Sequence, residues 1–105
     1  MHKTRWSRFS IRMQVPSSMG VFMLAASDGN SPEPVLLVGS ARNLRRKLLQ
    51  LFELEELRGV SAKFVHWVGG LSMEQARLAE RQFIRRYDPP LNLSEPSRYM
   101  DILAG

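Results

Sequence analysis

Glu80 is the residue whose type and position point most clearly to chemistry. It belongs to a segment with the apolar spacing of an amphipathic helix, carried by Ala76, Phe83, Ile84 and Tyr87. Glu80 completes this stripe, and a carboxylate directed inward is costly unless a cation, a metal ion or a hydrogen-bond donor accompanies it. The position therefore indicates either a functional acid, such as a metal ligand, or an acid at the stripe edge that pairs with Arg77 or Arg81 or reaches solvent past the edge of the sheet.

An earlier predicted helix opens with a cluster of four cations, Arg42, Arg45, Arg46 and Lys47. Cations at a helix N-terminus oppose the positive end of the helix dipole, so this placement favours an anionic partner. The functional interpretation is a phosphate cradle made of these side chains and of free N–H groups after Gly39. The alternative is a solvated cationic surface, in which the aliphatic parts of these side chains lie along the protein and their charged ends reach water. The sequence lacks the glycine-rich loop of a Walker-type nucleotide site.

Four strands are predicted to form the framework that positions these residues. Period-2 alternation and buried apolar runs place them at Phe9–Val15, Gly20–Ala26, Val35–Val38 and Lys63–Val68. A connection rich in glycine, asparagine and proline separates the second strand from the third, which predicts a hairpin.

Two long helices are predicted to pack on these strands. The first runs from an N-cap at Ser40 to about Leu57, and the second from a capping box of Ser72 and Gln75 to Tyr87. The prolines after Asp88 end the second helix, and Ser97 is expected to cap a short helix over Arg98–Leu103. This order of elements predicts an α+β fold, with helices flanking a small central, mainly antiparallel sheet of three to four strands.

Length and composition restrict the class of protein. The chain has 105 residues, no cysteine and a formal net charge of +5. One domain is expected at this length, and the missing cysteines exclude disulfides, thiolate zinc sites and thiol nucleophiles. The apolar run Met19–Ser27 is too short to cross a bilayer, and no signal-peptide core follows the basic N-terminus, so a cytoplasmic protein is predicted. The positive balance favours nucleic acid as the partner.

Three segments occur in the order found in a known nuclease family. They are Pro16-x-x-x-Gly20-Val21-Phe22, then Leu37-Val38-Gly39-Ser40-Ala41-Arg42-Asn43-Leu44-x-x-Lys47-Leu48, then Ala79-Glu80-x-x-Phe83-Ile84-x-x-Tyr87-x-Pro89-x-x-Asn92. The chain thereby resembles the GIY-YIG endonuclease domain, most closely the N-terminal nuclease domain of excinuclease C. The resemblance spans residues 16–92, which are predicted to form a GIY-YIG-like domain. The residue pattern adds a basic extension with an extra strand over 1–15 and a tail with a short helix over 93–105.

The resemblance also implies roles for individual positions. In the family a glutamate holds the divalent metal ion that polarises the scissile phosphate, which makes Glu80 the metal ligand and Mg²⁺ or Mn²⁺ the cofactor. Lys47 stands where the family has an arginine that neutralises the phosphoryl group, and Asn92 corresponds to the closing asparagine. Phe22 and Leu37 stand where the family has its two motif tyrosines, and neither carries a hydroxyl group.

These replacements imply weak or lost phosphodiester hydrolysis. A positioned acid–base group typically contributes roughly 10²–10⁴ in rate, and Lys47 lacks the bidentate fork of arginine. His66 is an alternative source of a base, but a strand histidine beside Trp67 is more often partly buried and inert. Contact with nucleic-acid phosphates, DNA being the expected partner, is assigned to Arg42, Arg45, Arg46, Lys47, Arg85 and Arg86.

The alternative function is a catalytically inactive module that binds a protein partner or forms a homodimer. It would use Phe9, Ile11 and Met13 of the predicted N-terminal strand for edge-to-edge pairing. A membrane is not an expected partner, because no predicted helix combines a broad apolar face with a basic one.

Overall fold

The structure, a computed structural model, describes residues 1–27, 32–54 and 62–92. Its elements, in chain order, are β1 (His2–Arg5), α1 (Arg8–Gln14), β2 (Gly20–Ala25), β3 (Val35–Ala41), α2 (Leu44–Glu53), β4 (Phe64–Gly69), α3 (Met73–Tyr87) and a 3₁₀ helix (Pro90–Asn92). The strands form one sheet in the order β1-β4-β2-β3, and all neighbouring pairs are antiparallel. The predicted α+β class and the hairpin of β2 and β3 are confirmed.

Strand β2 is buried along its whole length because it lies between two strands and under helices on both faces. On one face its side chains join those of α1 and α2 in a cluster that includes Ile11, Phe22, Leu24, Leu37, Leu44, Leu48 and Trp67. On the other face a smaller cluster packs against α3, and it includes Val21, Met23, Val38, Phe83 and Ile84. The sheet thus separates α2 from α3.

The strand predicted over Phe9–Val15 is wrong, because α1 occupies Arg8–Gln14. Ser7 caps this helix, since its Oγ accepts a hydrogen bond from Ser10 N–H at 3.1 Å. The buried residues Ile11 and Val15 are four apart, which is helical spacing, whereas Phe9 is 74 % exposed. Edge-to-edge pairing through this segment is therefore wrong as well. The N-terminal region does contribute a strand, but it is β1, which pairs with β4.

The predicted N-cap of α2 is also wrong. Strand β3 continues to Ala41, which lies opposite Gly20, so Ser40 is a strand residue. Asn43 caps the helix instead, and its Oδ1 accepts a hydrogen bond from Arg46 N–H at 3.0 Å. The helix ends at Glu53, and the rest of the predicted extension, residues 55–57, lies outside the described residues.

Helix α3 begins and ends where the sequence predicts. Both hydrogen bonds of the capping box between Ser72 and Gln75 are present. Asp88 adopts a left-handed conformation, with φ of 47°, and its N–H donates to Ile84 O at 2.9 Å. The predicted C-terminal helix over Arg98–Leu103 lies outside the described residues.

Glycine is required at position 20 because β2, β4 and α2 come very close together there. A Cβ atom at this position would overlap the carbonyl oxygen of Val68 in β4 and would come within 2.8 Å of Leu44 Cδ1 in α2. Only glycine lets β2 pass between these neighbours without displacing the backbone of β4.

Candidate functional site

Glu80 projects from α3 toward β3 and is half-buried. Ser40 Oγ donates a hydrogen bond to Glu80 Oε1 at 3.3 Å, and the backbone of Ser40 also donates to the carboxylate. Burial raises the pKa of Glu80, and the hydrogen bonds from Ser40 and the charges of Arg77 and Arg81 oppose that rise. The carboxylate is therefore directed inward and desolvated, with both arginines close enough to act on it.

Lys47 lies on the core face of α2 and is buried, with 7 % of its surface exposed. Burial lowers the pKa of Lys47, and the Glu80 carboxylate raises it in opposition. The two residues belong to helices on opposite faces of the sheet, and β3 is the edge strand between them. The charge of Glu80 therefore acts on Lys47 although the two helices lie on opposite faces of the sheet.

Asn92 fixes the backbone of β3 close to this pair. Its Oδ1 accepts a hydrogen bond from Val38 N–H at 2.7 Å, and its Nδ2 donates to Val38 O at 2.8 Å. The side-chain amide thus binds an edge strand as a neighbouring strand would. Val38 precedes Ser40 by two residues, so Asn92 positions the segment that contacts Glu80.

Phe22 and Leu37 are completely buried in the cluster between the sheet and α2. Phe22 lies opposite Gly39 in the pairing of β2 with β3, and Leu37 lies opposite Leu24. Each position is filled by an apolar side chain. These two positions therefore supply packing to the site and no group that transfers a proton.

The backbone part of the predicted phosphate cradle is wrong. Ser40 and Ala41, the first residues after Gly39, belong to the paired strand β3. The first turn of α2 has protein acceptors: Leu44 N–H donates to Ser18 O (3.0 Å), Arg45 N–H to Pro16 O (3.1 Å) and Arg46 N–H to Asn43 Oδ1 (3.0 Å). Phosphate binding at this end of α2 therefore depends on side chains.

The six predicted phosphate-binding cations do not form one surface. Lys47 faces the core, whereas Arg45 and Arg46 line a groove between α1 and α2 on the outer side of α2. Arg42 is exposed just before α2, and Arg85 and Arg86 are exposed in the last turn of α3. Adjacent residues in a helix point in directions about 100° apart, which separates Arg46 from Lys47.

His66 is a buried residue of the sheet, 3 % exposed, and lies opposite Lys3 of β1 and Met23 of β2. Its Nε2 has no hydrogen-bond partner within the described part of the chain. Burial lowers the pKa of His66, and Lys3 and the N-terminal amine lower it further. Burial of the ring favours the inert interpretation over that of a substitute base.

Ser40 is the site residue whose contact sequence reasoning missed, because the pattern around it predicts a helix cap. The missed signal is the continuation of small and apolar residues through Ala41, which extends β3 past Gly39. Its hydroxyl and backbone N–H supply the hydrogen-bond donors that an inward carboxylate needs.

The carboxylate oxygens of Glu80 fit a divalent metal ion that takes few ligands from the protein. In the described ranges no group of three or more histidine, cysteine, aspartate or glutamate side chains lies close enough to form a metal cage. Magnesium characteristically keeps several waters and is held by one or two carboxylates together with substrate phosphates. A single half-buried carboxylate matches that mode of binding, whereas a structural zinc site would need more protein ligands.

Comparison with known proteins assigns the fold. No family model and no curated protein matches the chain. The solved structures that match include the GIY-YIG N-terminal endonuclease domain of UvrC from Thermotoga maritima, in a variant with one tyrosine replaced by phenylalanine and bound to the catalytic divalent cation. That structure is 21 % identical with a TM-score of 0.63, and the match covers 80 % of this chain and 96 % of the other.

The magnesium-bound form of the same UvrC domain matches at 18 % identity and a TM-score of 0.60, covering 76 % of this chain and 92 % of the other. The chain therefore has an α+β nuclease fold. That fold is the one of the GIY-YIG endonuclease domain of UvrC, as the sequence resemblance predicts. None of the helices in the described ranges is both long and apolar enough to cross a membrane.

Proposed function

We propose that this chain is a GIY-YIG nuclease-type domain that binds the phosphates of nucleic acid, DNA being the expected polymer, and that hydrolyses phosphodiesters weakly or not at all. The observation that carries the proposal is the inward carboxylate of Glu80, which accepts a hydrogen bond from Ser40 of the edge strand β3, together with the buried Lys47, on which the Glu80 charge acts. An inward acid and a buried cation are both costly. Their juxtaposition matches the needs of a phosphate bound beside a metal ion. A cytoplasmic location belongs to the same proposal.

Each residue of the site has a distinct role in this proposal. Glu80 would hold Mg²⁺ or Mn²⁺, which when bound polarises a phosphate oxygen. Lys47 places a positive charge next to the phosphoryl group, although as a point charge without the planar fork of arginine. Asn92 is a positioning residue, because it fixes the part of β3 that contacts Glu80. Arg42, Arg85 and Arg86 are exposed and extend the contact with phosphates.

The rate of hydrolysis is expected to be low because no proton-transfer group stands at Phe22 or Leu37. Loss of a positioned acid–base group typically costs roughly 10²–10⁴ in rate. Metal binding need not be lost with the hydroxyl groups. Variants of the UvrC domain with single tyrosines replaced by phenylalanine are bound to the catalytic divalent cation in their crystals.

The test combines metal binding and DNA nicking. Wild type and Glu80→Gln are titrated calorimetrically with Mn²⁺ and incubated with supercoiled DNA and Mg²⁺ or Mn²⁺. We expect wild type to bind the metal and Glu80→Gln to lose it, together with any nicking. Glu74→Gln is the matched control, because Glu74 is an exposed acid on the same helix.

DNA binding is measured separately, in chelator. We expect log K to decrease linearly with log salt concentration, with a slope near −0.9 for each phosphate neutralised on duplex DNA. A wild-type protein that does not bind DNA would refute the proposal and favour the inactive interaction module. Nicking that persists unchanged in Glu80→Gln would refute the role of Glu80.

A further inference from the structure

The groove between α1 and α2, the α1–α2 groove, is a cationic surface separate from the Glu80 site. Its charged and polar lining includes Arg8, Arg12, Asn43, Arg45, Arg46 and Glu53. Four arginines thus face a single acid. The groove lies on the outer side of α2, whereas Lys47 lies on the inner side, so the two cationic regions do not share side chains.

The contacts of these arginines leave them able to bind an anion. Arg45 Nε donates to Val15 O at 2.8 Å, which orients the guanidinium and uses one of its five N–H donors. Arg8 forms an ion pair with Glu53, but both side chains are 52 % exposed, and such pairs contribute little. Like charges that converge in a groove repel one another, and a bound anion relieves that repulsion.

Helix α1 also exposes two large apolar side chains, on the helix face adjoining the one that carries Arg8 and Arg12. Phe9 is 74 % exposed and Met13 is 63 % exposed, and they are four residues apart, as are Arg8 and Arg12. Phe9 does not line the groove but follows Arg8 directly in α1. Proteins bind single strands with bases stacked on exposed aromatic rings and phosphates held by cations. In a duplex the bases are already stacked, so such a ring gains little there.

We propose that the α1–α2 groove binds a single-stranded segment of nucleic acid, with the arginines contacting successive phosphates and Phe9 stacking on an unpaired base. This inference rests on the proposed function, because it assumes that the partner is nucleic acid. It specifies that the bound nucleic acid is single-stranded, and it adds a second contact surface. It also gives Arg45 and Arg46 a role apart from the Glu80 site.

The experiment measures fluorescence anisotropy of a short labelled oligothymidylate and of a duplex of equal length, both in chelator. Phe9→Ala should weaken binding of oligothymidylate roughly 5- to 100-fold, the usual effect of removing one stacked ring, and should leave the salt slope and duplex binding unchanged. Arg12→Ala should reduce the salt slope on oligothymidylate by about 0.7. Glu53→Gln should tighten binding, because it removes the only acid lining the described groove.

Two control variants distinguish these effects from the effect of removing any exposed apolar or cationic side chain. Leu78→Ala removes an apolar side chain that is 50 % exposed on α3, and Arg5→Ala removes an exposed cation of β1; both should bind like wild type. The inference is overturned if Phe9→Ala and Arg12→Ala behave like these controls while wild type binds DNA, and the proposed function then stands. Equal weakening of both probes by Phe9→Ala would overturn the single-strand assignment. If wild type binds neither probe, the proposed function fails as well.

Discussion

The side-chain amide of Asn92 pairs with the backbone of Val38 in both directions, at 2.7 and 2.8 Å. Asn92, the last residue of the 3₁₀ helix, thereby occupies the outer edge of β3. It satisfies one donor and one acceptor that the edge strand would otherwise present to solvent. The same contact holds β3 in place two residues before Ser40, which binds Glu80.

Replacement of Asn92 by alanine should destabilise the fold. Two hydrogen bonds disappear and Val38 is left without these partners, which we expect to cost about 1–2 kcal/mol. For a domain of this size the melting temperature should fall by roughly 5–15 °C, as measured by circular dichroism. The control is Gln82→Ala, which removes an exposed amide from α3. Equal melting temperatures for the two variants would show that the amide contributes nothing to stability.

Replacement of Glu80 by glutamine should stabilise the metal-free protein at neutral pH. Because the pKa of Glu80 is raised in the folded state, the folded protein favours the protonated acid. That favourable contribution is complete below the unfolded pKa of about 4.3 and is lost as the pH rises through the folded pKa. We therefore expect Glu80→Gln to melt above wild type at pH 7 and the two to converge toward pH ~4.

Melting curves of both proteins across this range check the prediction, with Glu74→Gln as the exposed acid on the same helix. A difference of constant size at every pH would contradict it. Wild type melting above Glu80→Gln at pH 7 would identify Glu80 as a stabilising partner of Lys47 rather than a costly acid kept for function.

Lys47 and Glu80 should show a measurable coupling energy. A double-mutant cycle with Lys47→Met and Glu80→Gln isolates their attraction, and residues that interact directly typically couple by about 0.5 kcal/mol or more. The double variant should be more stable than the sum of the single effects predicts, because the attraction between the two charges is lost once in the double variant and is counted twice in the sum. A cycle of Lys47→Met with Glu74→Gln, six residues earlier in α3, should be additive. Additivity in both cycles would disprove the interaction across β3.

His66 should make the protein less stable in mild acid. Since burial, Lys3 and the N-terminal amine lower the pKa of His66, its contribution to stability is present above the unfolded value of about 6.5 and is lost as the pH falls through the folded pKa. In urea titrations, His66→Leu should lose less stability than wild type between about pH 6.5 and 5. Lys3→Met should fall between the two. Parallel pH profiles for wild type and His66→Leu would refute this account.

Elements with strong local signals were predictable from the sequence. In α3 a capping box, an apolar stripe and two prolines agree, and the helix has the predicted bounds. In α1 the signals conflict. Its apolar residues alternate like those of a strand, but Phe9 and Met13 are exposed, and only the pair of Ile11 and Val15 contacts the core. In seven residues the two periodicities are hard to separate.

Part of the geometry of the candidate site could be predicted from the sequence. The inward direction of Glu80 follows from the stripe on α3. The side of α2 on which Lys47 lies follows from the apolar stripe of Leu44, Leu48 and Leu51. The groove that holds Arg45 and Arg46 does not follow, because it needs α1, for which the sequence pattern predicts a strand.

The close packing around Gly20 in β2 affects how domains with this fold are identified from sequence. The space at this position is taken by a carbonyl of β4 and a side chain of α2, so glycine there is a packing requirement that has no part in catalysis. A sequence pattern that requires this glycine selects chains with this fold. It would still find chains in which the reactive groups have been replaced. Under the proposed function, the side chains at positions 22, 37 and 47, which are phenylalanine, leucine and lysine in this chain, are the ones that distinguish an active nuclease from a binding protein on this scaffold.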